Sequence, residues 1–326
     1  MNRFTRRTTL TLVATALLAG ATAASAQTPA TPLRVILPVG AGSGVDVIVR
    51  SAQTALTNAL GGQPVVIENL PGAGGITGTQ ALVKAAPDGN TVAFISNNHA
   101  VNPSVFKSLP YDSLNDITPI SVVGGSPFVL VVNPAKVPVK TAKEMQALIK
   151  AKPGQFNMGS SGNGTIIHLA GEMFVDALGV QVQHIPYKGM GPMMTDIISG
   201  QVDFGAAAVA AAQGQIASGR LKAIGVMGRQ RVASLPDVPT IAEQGFADVD
   251  VAGWFAMVGP KGLPAAQVKR LHDALVAAFN DAEVKAAMAK QSNQIDPSTP
   301  ESAAAFLKSE QARYARLVAK ANIKID

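Results

Sequence analysis

The chain has 326 residues, 47% of them hydrophobic and 15% charged, with 27 Lys+Arg against 21 Asp+Glu and no cysteine. Lack of cysteine excludes a disulfide framework, a thiol nucleophile, a thiolate metal site and a lipid-attachment cysteine. Aromatics are few and no Lys/Arg stripe is present, which argues against a nucleic-acid partner.

The first residues carry a basic stretch ending Arg6-Arg7, an apolar run from Leu10 to about Ala21, and Ala24-Ser25-Ala26 before Gln27. That order predicts a cleavable signal peptide over 1–26. Its apolar run is shorter than the roughly 20 residues that span a bilayer, and no later run is long and apolar enough. The expectation is an exported, soluble, unlipidated periplasmic protein. Thr5-Arg6-Arg7 leaves both the ordinary and the twin-arginine export route open. Without Arg3, Arg6 and Arg7 the charge balance falls to 24 against 21, a net +3, so the basic character belongs largely to the leader.

The 300 residues after Ala26 correspond to about two domains. Short β-rich runs at Arg34–Leu37, Val65–Glu68 and Thr91–Ile95 alternate with helical stretches, predicting α/β architecture with largely parallel sheets. Ile120–Val132, β-branched and broken by Gly and Pro, predicts a strand leaving a first lobe. A second series follows, with strands near Phe156–Ser160, Val182–Pro186, Val202–Ala206 and Leu221–Val226. Val251–Val258 then predicts the return crossing. Beyond Ala265 the spacing of Val268, Leu271, Leu275 and Phe279, and of the residues from Phe306 to Val318, is helical. The expected organisation is one lobe from 27–126 plus 251–326, a second from 127–250, and a hinged cleft between them.

Glycine-rich loops between strand and helix carry the chemistry. Such loops let backbone N–H groups approach a ligand, and a helix N-terminus favours an anion. The first is Pro38–Asp46, the second Pro71–Gly75, the third Gly159–Thr165. Asp46 also suits a plain βα turn, as a first-turn acid. None completes G-x-G-x-x-G: Val45, Thr77 and Ile167 stand at the last position, and no G-x-x-x-x-G-K-[ST] is present. Nucleotide binding is therefore not expected, and no cofactor is. Ser161 lacks the G-x-S-x-G elbow. His168 reads as a helix residue satisfied by Glu172 at i+4 or by nearby backbone. His99, His168, His184 and His272 lack metal-ligand spacing, so no metal is expected. Tyr187-Lys188-Gly189 follows a strand's carboxyl end, where open α/β sheets bind ligands. A solvated lysine and a half-buried tyrosine fit the same residues. Trp254 and Phe255 fit either the cleft wall or the core.

Several segments, read in order, make the chain resemble one family over essentially the whole mature length. They are Ile67–Gly75, Ala86-Pro87-Asp88-Gly89, Asn102-Pro103-Ser104, Leu109-Pro110-Tyr111-Asp112, Gly159–Thr165, His168-Leu169-Ala170-Gly171-Glu172, Pro186–Gly189 and Leu235–Thr240. The resemblance is to the Bug family, the extracytoplasmic receptors of tripartite tricarboxylate transporters. It implies a type II periplasmic-binding-protein fold and a ligand carboxylate. The carboxylate would be held by backbone N–H groups, hydroxyls and bridging waters. The implied residues are Val39, Gly40, Ala41, Gly42, Ser43 and Asp46 of the first loop, Ser96-Asn97-Asn98, and Ser160, Ser161, Asn163 and Thr165, with Tyr187 and Lys188 alongside.

Two departures matter. In the first loop Val39, Gly40 and Ser43 replace typical residues of a P-x-P-A-G-G-x-x-D pattern. Where many relatives carry an acid after Q-V-D, this chain has Ala206 and Ala207. A buried ammonium without a partner costs several kcal/mol, so the expected ligand has no α-amino group and is a dicarboxylate or an aromatic carboxylate. The expected protein is a monomeric, non-enzymatic receptor delivering its ligand to a membrane permease. A sensor subunit presenting the ligand to a signalling partner and, more remotely, an enzyme acting on a carboxylate are the alternatives.

Overall fold

A computed structural model describes residues 31–321; the signal segment expected over 1–26 lies outside the described residues. The first half-sheet is built by strict alternation of strand and helix. β1 (Leu33–Leu37) and β2 (Val65–Asn69) pair in parallel, Leu33 against Val65 through Leu37 against Asn69, and β3 (Thr91–Ser96) pairs in parallel on β1's other edge. Between them lie α1 (Gly44–Ala59) and a short 3-10 turn at Ala73–Gly75 with α2 (Ile76–Val83), and α3 (Asn97–Val105) follows β3. α1 starts where it does because Ser43 is extended and its Oγ accepts the Asp46 N–H, a cap worth about 1 kcal/mol. Ile48, Val49, Ala52 and Leu56, at helical spacing, bury one face.

The second half-sheet repeats the pattern. β5 (Asn157–Ser160), β6 (Gln183–Pro186) and β7 (Phe204–Ala208) run parallel, with α5 (Ile166–Leu178) and α6 (Met190–Ser199) between them. α4 (Ala142–Ala151) precedes this series. α7 (Val209–Ala217) and β8 (Lys222–Val226) follow it.

Two long strands join the halves and depart from the parallel expectation. β4 (Ile117–Val132), 16 residues, carries the chain out, and β9 (Ala252–Pro260) brings it back, so they run antiparallel to one another. β4 pairs with β9 from Ile117 to Pro127, then changes partner at Phe128, pairing with β7 and, on its other edge, with β8. The whole order is β2-β1-β3-β9-β4-β7-β5-β6. The chain ends on α8 (Ala265–Asn280), α9 (Ala282–Lys290), β10 (Gln294–Ile295) against β4, and α10 (Pro300–Ala321).

β7 begins two residues later than its hydrophobicity suggests. Asp203 is diverted: its Oδ2 accepts the Asn157 N–H at 2.7 Å and its Oδ1 pairs with Lys136 Nζ at 3.0 Å, pinning the turn before the strand. Among the described residues, no helix is long and apolar enough to cross a membrane.

The docking of β10 depends on one missing side chain. A Cβ at Gly124 would lie within van der Waals overlap of the Gln294 carbonyl oxygen, which is fixed backbone. Gly124→Ala is expected to lower stability by about 1–3 kcal/mol, the usual cost of forced overpacking. A urea melt should show a lower midpoint with the slope unchanged; an unchanged midpoint would contradict this account.

Candidate functional site

A cavity of about 450 Å³ lies where β4 changes partners. Five helices present their N-terminal ends to it: α1 at Ser43–Val45, α3 at Ser96–Asn98, α5 at Thr165–Ile167, α6 at Gly189–Met190, and α7 at Ala208. The first N–H groups of a helix have no intrahelical acceptor and carry the positive end of its dipole. Strand-to-helix alternation with all strands of a half-sheet parallel brings these ends together, because every helix then starts at the same edge. No acidic side chain lines the cavity, and its one cation, Lys188, is exposed and makes no ion pair among the described residues. The remaining wall is largely apolar, including Val39, Val45, Phe106, Phe128, Ile167 and Met190.

Most residues expected from the sequence border this space: Val39, Gly40, Ser43, Ser96, Asn97, Asn98, Ser161, Asn163, Thr165, Tyr187 and Lys188. Their duties differ. Asn97 is consumed by the scaffold, its Nδ2 donating to the Ala252 carbonyl at 3.0 Å and to Tyr314 Oη, its Oδ1 accepting the Trp254 N–H at 2.9 Å. Asn98 Oδ1 reaches the other half of the molecule and accepts the Ile166 N–H at 2.7 Å. The Thr165 hydroxyl donates to Gly162 O at 2.8 Å and accepts the His168 N–H as N-cap of α5. Ser161 donates to Thr165 Oγ1 at 3.1 Å, a single weaker tie that leaves it free to turn. The Tyr187 hydroxyl donates to Asp196 Oδ2 at 2.7 Å. Burial, and after it the Asp196 carboxylate, push this phenol up to about 12. Tyr187 therefore offers the cavity its ring and backbone rather than its hydroxyl.

Six expected residues stand outside the cavity surface. Asp46 is buried and braces the first loop: Oδ2 accepts the Gly42 N–H at 2.9 Å, while Oδ1 accepts Arg50 Nε at 2.8 Å and Asn69 Nδ2 at 2.9 Å. Gly42 is thus held in position, at φ +77°, and Ala41 is exposed beside it. Ser160 is buried, hydrogen-bonded to Gly162 and to His184 Nε2 at 2.6 Å. Ala206 and Ala207 are interior residues of β7; because side chains alternate along a strand, Ala208 faces the cavity and Ala207 does not.

The sequence reasoning left out several wall residues. Ser126 and Phe128, two apart on β4, share the face toward the cavity, and Gly253 of β9 sits opposite Ser126. Ile117–Val132 shows no regular polar/apolar alternation that would have signalled them. The second loop, Pro71–Gly75, also lines it. Trp254 and Phe255 belong to both categories left open: they border the cavity while buried, and Trp254 Nε1 donates to Glu310 Oε2 at 2.8 Å.

Behind the third loop the fold assembles a trio that sequence spacing could not show. His168 and His184 stack at 3.8 Å, and Glu172 Oε1 lies 3.4 Å from His168 Nε2; their ligand-type atoms fall within 4.8 Å of one another. His168 Nδ1 accepts the Gly164 N–H at 3.2 Å. Accepting there, the ring carries its proton on Nε2, toward Glu172, so a cation at Nε2 would have to break the loop contact. The trio reads as a support for the loop.

The two half-sheets, their crossing strands and the ring of helix starts define the class of periplasmic binding proteins. The chain belongs to the TctC family, described as tripartite tricarboxylate transporter family receptors, whose family model matches residues 48–323. It is 35% identical over 299 residues to protein BugT of Bordetella pertussis, covering 91% of each chain. Among solved structures it is similar to the periplasmic binding protein BugD, at TM-score 0.86 and 32% identity, covering 90% of this chain and 99% of that one. It is also similar to Rpa4515 of R. palustris solved with adipate, at TM-score 0.87 and 26% identity, covering 92% of this chain and all of that one.

Burial, then the neighbouring His168, lower the His184 imidazole from 6.5 to about 4, with Glu172 opposing. Between those values the unfolded chain binds the proton and the folded chain does not, so stability falls as pH drops from 6.5 toward 4. Thermal melts across that window are expected to show a steeper Tm loss for the wild type than for His184→Gln. Parallel profiles would remove His184 as the cause.

Proposed function

We propose that this protein is a periplasmic receptor that captures a small carboxylate lacking an α-amino group and hands it to a permease of the tripartite tricarboxylate type. The observation that carries this reading is the ring of helix N-termini around a cavity with no acidic side chain and one lysine at its mouth. An anion meets donors on several sides there, whereas an ammonium meets no counter-charge. The adipate held by Rpa4515 is an anion of the same kind.

The first subsite is the start of α5: the Ile167 N–H, the Ser161 hydroxyl once it turns, and Lys188. Three or four charge-assisted hydrogen bonds at about 1.5–3 kcal/mol each suffice for micromolar affinity, about 8 kcal/mol, after ordering costs. The apolar walls receive the ligand's body, dicarboxylate or aromatic. The lobes are assigned as 27–126 with 251–326, and 127–250; the partner change of β4 at Phe128 and the antiparallel return of β9 support that division. The Asn98–Ile166 hydrogen bond joins one lobe to the other across the cavity. The chain binds and releases its ligand unchanged. Removal of residues 1–26 on export delivers it to the periplasm as a freely diffusing monomer.

A thermal-shift screen of the purified protein against mono- and dicarboxylates, aromatic acids and amino acids tests this reading. A carboxylate without an amino group is expected to raise Tm, with Kd in the micromolar range. Tight aspartate or glutamate binding would overturn the amino-group argument, and silence from every carboxylate would overturn the carboxylate itself. Ser161→Ala is expected to weaken binding several-fold with Tm of the free protein unchanged. Thr165→Ala should also weaken binding, but loses an N-cap worth about 1 kcal/mol of stability, which makes Ser161 the cleaner probe.

A further inference from the structure

The His168–Glu172–His184 trio is tied to the third loop at two points. The Gly164 N–H donates to His168 Nδ1 at 3.2 Å. His184 Nε2 lies 2.6 Å from Ser160 Oγ, and that oxygen also accepts the Gly162 N–H at 3.2 Å. Gly162, with Ser161, Asn163 and Thr165, borders the cavity, so the two rings hold the backbone from which these groups reach the ligand space. Gly162 and Gly164 sit at φ +133° and +70°, a path that glycine takes freely and leaves as freely. Contacts from outside the loop therefore decide whether it keeps this shape.

A metal ion does not suit the trio. Imidazole lone pairs lie in the ring plane, and rings stacked at 3.8 Å and 9° from parallel cannot aim two of them at one ion. A proton does suit it. The Gly164 contact needs a bare lone pair on His168 Nδ1, and a protonated imidazole has none, because both its nitrogens donate. On the same ring Nε2 faces Glu172 Oε1 at 3.4 Å, and this carboxylate is held below its usual range first by the His168 hydrogen bond. A charged His168 thus has its counter-charge in place. Burial, then His168, keep the His184 ring neutral down to about 4, and two imidazoliums in stacking contact repel, so the pair titrates as a unit.

The other elements against α5 carry their ionisable groups elsewhere. β5 and β7 have none, and α3 has only His99, whose Nε2 contacts the Ser113 carbonyl. On α10, Glu310 and Arg313 bond to Trp254, to each other and to the Asp250 carbonyl, Tyr314 meets Asn97, and Glu301, Lys308 and Arg316 are exposed. Asp176, on α5 itself, and Lys188, after β6, are exposed as well.

We propose that the His168–His184 pair makes ligand capture proton-linked: a proton taken up at His168 removes the acceptor of the Gly164 N–H, frees the third loop and lowers affinity for the carboxylate. The receptor then holds its ligand at neutral pH and releases it in mildly acidic surroundings. This rests on the carboxylate reading above. His168 is a positioning residue in this scheme and does not line the cavity. The sign follows from linkage: the intact loop refuses the proton, so binding that needs the intact loop weakens as pH falls, by at most about tenfold per pH unit for one proton.

Calorimetric titration with adipate at about pH 8 and about pH 5.5, within the histidine range, compares wild type with His168→Asn and His168→Ala. Asparagine places a carbonyl oxygen where Nδ1 stands and accepts the Gly164 N–H without ever taking a proton. His168→Asn is expected to match wild type at the higher pH and to lose about three- to tenfold less affinity at the lower one. The ionisation of adipate is common to every variant and cancels. His168→Ala, with no acceptor, should bind several-fold more weakly than wild type at the higher pH. In ligand-free wild type the amide NMR signal of Gly164 is expected to titrate across this range, and in His168→Asn to stay in place. Equal pH slopes in wild type and His168→Asn, unchanged affinity in His168→Ala, or an unmoving Gly164 signal in wild type overturns the proton link and leaves the receptor reading standing. If wild type binds no adipate at either pH, the receptor reading fails for that acid, and the Gly164 titration decides the proton link by itself.

Discussion

Each helix begins with backbone N–H groups that its own hydrogen bonds cannot reach, and the arrangement of this molecule follows from where those donors are put. Five helices start at one cavity. Parallel strands within each half-sheet force this, because every helix leaves from the same sheet edge. Some of the donors are satisfied within the chain: Ser43 and Thr165 cap α1 and α5, and Asn98 takes the first N–H of α5 from across the cavity. The remainder face an enclosed space with no acid to answer them. In the proposed function, an anion completes what the backbone leaves unfinished.

Around that requirement, the side chains divide into holders and neighbours. Asp46, Ser160, Asn97 and the His168–Glu172–His184 trio do their bonding within the protein, each fixing the backbone of a loop or strand that borders the cavity. They combine the polar bonding expected of a binding site with the burial expected of a core, so their residue types alone do not separate the two roles. Asp46 illustrates the point: three side-chain hydrogen bonds brace the first loop without reaching the cavity surface.

The sequence made the architecture legible to the extent that periodicity encodes it. The alternation of strands and helices, the crossing at Ile120–Val132 and the return at Val251–Val258 were all readable, because β-branched runs between Gly- and Pro-containing loops leave few other solutions. The antiparallel crossing pair was not, since strand direction depends on where the chain has been rather than on local composition. At the site, glycine-rich loops marked the helix starts correctly, but the side-chain roles within them were decided by partners far away in the chain. The Tyr187 hydroxyl is taken by Asp196, Asn97 is taken by Trp254 and Ala252, and the His184 ring stacks on His168 from another part of the chain. Ser126 escaped notice because a lone serine in an apolar strand carries no pattern. Ala207 drew attention in place of Ala208 because alignment by residue type does not preserve the two-residue alternation of a strand.

The use of main-chain donors at the cavity has a consequence for how such a scaffold diversifies. In the proposed function, charge is gripped by groups that every residue except proline possesses, while the shape of the space is set by side chains such as Val39, Phe106, Ile167 and Met190. Exchanging those side chains remodels which acid fits and leaves the grip on the acid intact. Affinity for the functional group and choice among its bearers are thus written in separate parts of the chain, and the second can drift without endangering the first.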